Sequence, residues 1–409
     1  MAPTTPAPAA ASSGARRRPP PRRRRLVLAA AAAAAASLLL LPASADPLPP
    51  RPDWCDKWSP NQTPNRRKAV ALLVGDSITS MAANADGGWA ARLAEQGPRQ
   101  LDVLTRGFSG WNTRWWRPAA RTVARDALGL PEGGPPALAN GGKGPGAAVG
   151  SSVPRELAFA TLWLGANDLV PPESDEGPKY VPVDQYEANL EAIARDVLAA
   201  GAEAHRYSAL MAADGPGRAG GRAPAPVRLL IVAPAPVGEK MRVEDQARRA
   251  KVCRDVRGEA YFAGPKGPPP DRTSAASWAY SRAALRVADK LSRELGVPGG
   301  GGGNSGGGGL GGVPVLVSGL DLHPVLLPAV QADGGFGRAV YLDGVHLNPE
   351  GQRRAGEAIA KRVLQSAGEG GLGLGSFWDA LPLQMPAWEQ LEKAGPSWRR
   401  FLSAWVIGG

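Results

Sequence analysis

Residues 69–74 are apolar without a break, then stop at Gly75 and give way to Asp76, Ser77 and Thr79. Apolar runs of strand length recur at 101–104, 157–164, 227–232 and 313–317. They are continuous rather than alternating, which is the pattern of strands covered on both faces. Segments of helical period lie between them. Residues 89–95 form a short one, and 112–127 a longer one with Pro118 near its start, where proline is tolerated. Residues 183–200 set Tyr186, Leu190, Ile193, Val197 and Leu198 on one face, and 273–295 follow Asp271 or Thr273 as cap. A final helix starts after Asn348, a good N-cap, with Pro349 at its first position. Strands separated by helices five times over predict an α/β fold: a five-stranded parallel sheet between two helical layers, a three-layer αβα sandwich.

Three stretches interrupt this rhythm. Residues 130–154 and 201–226 are rich in Gly, Pro and Ala, and 299–312 are almost all glycine. They read as flexible insertions between elements, so the expected organisation is one decorated domain over residues 69–367. Residues 46–68 form an irregular lead-in. The tail 368–409 carries four tryptophans, and Trp398, Phe401, Leu402, Trp405 and Val406 share helical spacing. It is expected to pack on the domain, with a membrane-surface helix as the alternative.

Charge changes the picture less than its total suggests. The net charge is +11, but seven arginines fall between Arg16 and Arg25 and residues 1–45 hold no acid. Without that segment 48 − 7 = 41 basic residues face 37 acidic ones, a balance of +4. That is an ordinary surface and no signature of nucleic-acid binding. The segment itself has the plan of an export signal: a basic run, the sixteen mostly apolar residues 26–41, and Ala43-Ser44-Ala45 before Asp46. A cleaved signal to a secreted or lumenal destination is expected. An uncleaved membrane anchor and an organelle-import sequence, such as one to a plastid thylakoid lumen, are the alternatives. Cys55 and Cys253 lie in no metal-like spacing, and the sequence leaves open whether they pair.

Candidate chemistry gathers at the strand ends. The first offers Ser77, the second Gly107, the third Asn167, and a late loop offers Asp343 and His346. Acyl transfer needs a nucleophile, a base, a group to orient that base, and donors for an oxyanion; this set supplies each. Of three histidines, His205 falls in an insertion, and His323 with Asp321 is the one rival to His346 with Asp343. An Asp-x-x-His turn can fold the carboxylate onto the imidazole. The only Gly-x-Ser-x-Gly lies in the polyglycine stretch, at Gly303 to Gly307, which disfavours a nucleophile-elbow hydrolase. Asp76 and Asp168 are expected to hold turns rather than act as acids.

Four segments, Gly75-Asp76-Ser77-Ile78-Thr79, Arg106-Gly107-Phe108-Ser109-Gly110-Trp111-Asn112-Thr113, Gly165-Ala166-Asn167-Asp168 and Asp343-Gly344-Val345-His346-Leu347, occur in the order of the four blocks of the GDSL/SGNH hydrolases. The chain resembles that superfamily over about residues 69–388, most of all the branch with the isoamyl acetate-hydrolysing esterases. Ile78 replaces the leucine that names the group, a conservative change. The resemblance implies a flavodoxin-like sheet with Ser77 as nucleophile, His346 as general base and Asp343 orienting it. It also implies oxyanion donors at Ser77, Gly107 and Asn167. Arg106, Trp111, Asn112 and Arg114 are expected to border the substrate pocket. The expected activity is hydrolysis of small or medium carboxylic esters, acetates among them, through an acyl-serine, with no cofactor, no metal and no nucleic-acid partner. The same site would suit a carbohydrate O-acetylesterase, a lysophospholipase or a thioesterase. A non-catalytic binding protein on the same fold is the alternative of a different class.

Overall fold

A computed structural model of the protein describes residues 69–84, 87–96, 101–131, 154–174, 176–213, 226–257, 271–296 and 309–369. The expected export signal, the lead-in with Cys55, most of the first and third insertions, and nearly all of the aromatic tail lie outside these residues. All described residues fall in one unit, Pro60–Gly409.

Five strands, β1 (Ala69–Gly75), β2 (Leu101–Gly107), β3 (Leu157–Trp163), β4 (Val227–Val232) and β5 (Val315–Leu320), form one sheet in the order β2-β1-β3-β4-β5. All neighbours are parallel. This is the flavodoxin-like order expected from the sequence. Every residue of β1, β3 and β4 is buried, which is why these strands read as unbroken apolar runs.

Successive side chains of β1 go to opposite faces. Val70, Leu72 and Val74 join one core with the helices α3 (Thr113–Ala127), α4 (Val183–Ala213) and α6 (Ser274–Leu295). Ala69, Ala71 and Leu73 join the other with α2 (Trp89–Gln96), α7 (His323–Ala332) and α8 (Pro349–Glu369). Of the two candidate caps, Thr273 caps α6 by accepting the Ala276 N–H, and Asp271 is used elsewhere. Asn348 caps α8, its Oδ1 accepting from Gly351 N–H at 2.9 Å.

Two further differences matter for the site. The stretch 201–226, expected as a flexible insertion, is helical as far as Ala213. Its alanines are strong helix formers, and Ala200, Ala202 and Ala204 are buried against the sheet. Gly201 permits that approach: a Cβ there would stand 2.7 Å from Leu157 Cδ2 and 2.9 Å from Val227 Cγ1. The second difference is α5 (Glu239–Arg257), a helix the apolar pattern does not signal because its sequence is dominated by charged residues. The one-turn helix α1 (Ser77–Ser80) directly follows β1.

Candidate active site

Register brings three strand ends level. Gly75 pairs with Gly107 on one side and with Trp163 on the other, so the turns after β1, β2 and β3 open onto one edge of the sheet. The side to which successive strands are added reverses there, between β1 and β3, the position at which open α/β sheets bind ligands.

After Gly75 the backbone turns into α1, and Asp76 caps that turn by accepting the Ile78 N–H at 2.9 Å. The cap presents Ser77 at the sheet edge, half-buried. Gly107 lies directly against the same turn: a Cβ there would fall 2.1 Å from Ser80 N and 2.7 Å from Asp76 O. No other residue fits at that distance.

His346 arrives from the loop before α8. Its Nε2 lies 2.8 Å from Ser77 Oγ, 269 residues away in sequence. Its Nδ1 donates to Asp343 Oδ2 at 2.8 Å, while Asp343 Oδ1 accepts the backbone N–H groups of His346 (2.8 Å) and Val345 (3.1 Å). An ionised carboxylate only accepts, so the proton sits on Nδ1 and Nε2 is left to accept from the serine hydroxyl. Burial would raise the pKa of Asp343, but the hydrogen bonds from the His346 ring and the two backbone amides hold it well below the usual carboxylate range. Such a chain of contacts can remove the Ser77 proton as Oγ forms a bond.

Asn167, at the end of β3, is 4% exposed; its Nδ2 donates to the Trp111 carbonyl at 2.9 Å and its Oδ1 accepts from Arg272 at 3.2 Å. Asp168 turns away from the site: its Oδ1 accepts the Thr113 N–H at 2.9 Å and the Thr113 hydroxyl. Asp76 and Asp168 thus hold turns, as read from the sequence. Each leaves Oδ2 buried without a hydrogen-bond partner. Burial pushes their pKa values up to about 6 and about 7, and the Asp76 charge adds to the rise at Asp168.

The rival histidine is answered by access. His323 also stands between a carboxylate and a serine, with Nδ1 2.9 Å from Asp321 Oδ1 and Nε2 3.3 Å from Ser277 Oγ. Yet Ser277 is 0% and His323 1% exposed, and the Ser277 hydroxyl is given to the Ala235 carbonyl at 2.6 Å. The His346 side chain, in contrast, is 26% exposed. His205 belongs to α4 rather than to an insertion, and its Nε2 donates to the Leu157 carbonyl at 3.0 Å.

Each residue expected to border the pocket also has contacts within the protein. Asn112 is fully buried and caps α3, with Oδ1 accepting from Trp115 N–H and Nδ2 donating to the Lys179 carbonyl at 2.6 Å. Arg106 donates to the Thr105 carbonyl and pairs with Asp126 at 3.7 Å, and Arg114 donates to the Tyr180 carbonyl. Arg114 remains exposed and Arg106 partly exposed beside these contacts. Trp111 contributes its carbonyl to Asn167 and packs its ring on Phe108 and Trp116.

The sequence reading missed four arginines. Arg242 and Arg249 of α5 both reach Asp343 Oδ2, at 3.3 and 3.1 Å. Arg272 reaches Asn167 and Glu176, and with Lys179 it lowers the Glu176 carboxyl to about 2 against the opposing effect of burial. Arg248 completes the group by pairing with Asp245. No local spacing announces the contacts to Asp343 and Asn167, because these partners lie 94 to 105 residues from the arginines. Among the described residues no group of three or more His, Cys, Asp or Glu side chains is placed to hold a metal ion.

No protein-family model matches the chain. A GDSL esterase/lipase of Arabidopsis thaliana is 38% identical over 128 residues, 31% of this chain and 43% of that protein. An isoamyl acetate-hydrolyzing esterase 1 homolog of Rattus norvegicus is 38% identical over 120 residues, 29% of this chain and 37% of that protein. The matched stretches thus span less than half the length of these two relatives. The homolog from Bos taurus is 26% identical over 330 residues, 80% of this chain and 89% of that protein. An acetyl xylan esterase of known structure overlaps 72% of this chain with a TM-score of 0.41 and 12% identity, a likeness too slight to add to the topology itself. The chain thus carries the four sequence blocks of the GDSL/SGNH hydrolases and is similar to GDSL esterase/lipases and isoamyl acetate-hydrolyzing esterase homologues.

Proposed function

We propose that this protein is a serine esterase that hydrolyses carboxylic esters of small or medium acyl groups, acetate esters included. The observation that carries the reading is the unbroken contact chain from Ser77 Oγ through His346 to Asp343, placed at the open edge of the sheet. His346 Nε2 takes the Ser77 proton as Oγ bonds to the ester carbon. The carbonyl electrons move onto oxygen, where the backbone N–H groups of Ser77 and Gly107 and the Asn167 amide are the donors. Collapse expels the alcohol, which carries away the proton held on Nε2. Water then attacks the acyl-serine with His346 again as base, releasing the acid and restoring Ser77.

The test is hydrolysis of p-nitrophenyl acetate and butyrate by wild type beside Ser77→Ala, with fluorophosphonate labelling of both. Wild-type turnover and labelling, both lost in the variant, are expected. Equal rates in the two proteins would sink the proposal. Export is a separate part of the reading: residues 1–45 are a cleaved signal, and sequencing the mature amino terminus is expected to find Asp46 first.

A further inference from the structure

A side-chain amide can present either end to its surroundings, and a donor role for Asn167 depends on which end faces where. Both neighbours decide the matter in the same sense. Arg272 can only donate, so Oδ1 faces it at 3.2 Å; the Trp111 carbonyl can only accept, so Nδ2 faces it at 2.9 Å. A flipped amide would set donor against donor and acceptor against acceptor. In the observed orientation the second Nδ2 hydrogen is available to a ligand.

Arg272 is itself locked. Its Nε donates to the Ala166 carbonyl at 2.8 Å, its Nη1 to Asp271 Oδ2 at 2.8 Å, and its Nη2 to Glu176 Oε2 at 2.9 Å as well as to Asn167. Asp271 also receives Nε and Nη2 of Arg242, at 2.7 and 2.5 Å, and Arg242 Nη1 extends to Asp343 Oδ2 at 3.3 Å. A buried chain, Asp343–Arg242–Asp271–Arg272–Asn167, therefore joins the carboxylate behind the histidine to the amide beside the serine. No charged side chain in it is more than 9% exposed. Burying such ions is costly unless each is paired and hydrogen-bonded, and here the pairing spends donors on two uncharged groups, the Ala166 carbonyl and the Asn167 oxygen.

We infer that Arg272 is a positioning residue for ester hydrolysis: it fixes the Asn167 amide as a donor and, through Asp271 and Arg242, sets it on the same frame as Asp343. The inference rests on the esterase reading of the Ser77 site. It demands arginine rather than charge alone. The planar guanidinium reaches four acceptors at once, whereas the single nitrogen of lysine can keep the ion pairs with Asp271 or Glu176 but not the full set.

Arg272→Lys is therefore the discriminating variant, measured beside Asn167→Ala and the double variant. With p-nitrophenyl acetate, Arg272→Lys is expected to lower kcat by roughly 10- to 100-fold with KM within about threefold, a fraction of what one oxyanion donor is worth. In the Asn167→Ala background the same change is expected to cost less than about twofold, because the group it orients is gone. Asp271→Asn, which keeps the shape and loosens the lock, is expected to show the same non-additivity at smaller amplitude. Wild-type kcat in Arg272→Lys, or losses that multiply in the double variant, would overturn the inference. A second readout does not depend on turnover. The Asn167 side-chain amide signals in ¹⁵N NMR, assigned by their loss in Asn167→Ala, are expected to shift and broaden in Arg272→Lys; unchanged signals would overturn the inference. Should wild type and Ser77→Ala hydrolyse esters alike, the esterase reading falls while the NMR result still decides whether Arg272 holds the amide.

Discussion

Asp343 serves two structures at once. One oxygen takes the His346 Nδ1–H and two arginines, and the other folds its own loop by accepting two backbone amides. An amide in its place could donate to Nδ1, moving the imidazole proton to Nε2, where it can no longer accept from Ser77. Asp343→Asn is accordingly expected to lower kcat on the order of 10⁴-fold, measured with p-nitrophenyl acetate. Its melting temperature should also fall, because Arg242 and Arg249 lose an anionic partner. The Asp-x-x-His spacing was legible because both residues lie on one turn. The arginines behind it were not, since a guanidinium on another helix leaves no mark in the local pattern.

At the scale of elements, the strands were read with most success because burial on both faces forces continuous apolar composition. Helices were read only where one face is apolar. The charged helix Glu239–Arg257 went unread for that reason, although it supplies two of the contacts to Asp343. Cap chemistry is local and was recognisable at Asn348. Asn348→Ala removes the acceptor for Gly351 N–H and is expected to destabilise the protein by about 1 kcal/mol, seen as a drop in the chemical-denaturation midpoint. Backbone hydrogen bonds from Leu342 to His346 and from Asn348 to Val340 hold the loop independently of that side chain. The same variant should thus keep kcat within about twofold.

For the whole molecule, two buried carboxyls set the dependence of stability on pH. Asp76 and Asp168 have folded pKa values of about 6 and about 7, above those of an unfolded chain. The folded state therefore binds more protons than the unfolded one from about pH 4 to about pH 7. The stability present below that window is lost as pH rises through it. Glu176 and Asp343 act in the opposite sense, contributing above their unfolded values and losing that contribution in acid. The melting temperature is expected to peak near about pH 4 and to decline toward about pH 8. Asp168→Asn still accepts from Thr113 but does not ionise, so its decline should be shallower. An unchanged slope in calorimetry would show that Asp168 is not among the groups responsible.

What the sequence determined by itself is the alternation of strands and helices, and with it an α/β sheet whose carboxyl edge gathers Ser77, Gly107, Asn167, Asp343 and His346. These are matters of burial period, turn chemistry and short spacing, which act over a few residues. Tertiary structure alone decided the rest. It separated the accessible Ser77–His346 pair from the buried Ser277–His323 pair, which only packing can distinguish. It showed Asn112 fully buried as the cap of α3, with Arg106 and Arg114 bonded to backbone carbonyls. It also brought Arg242, Asp271 and Arg272 between Asp343 and Asn167, because buried charges take their partners from whatever the fold sets beside them, however distant in the chain.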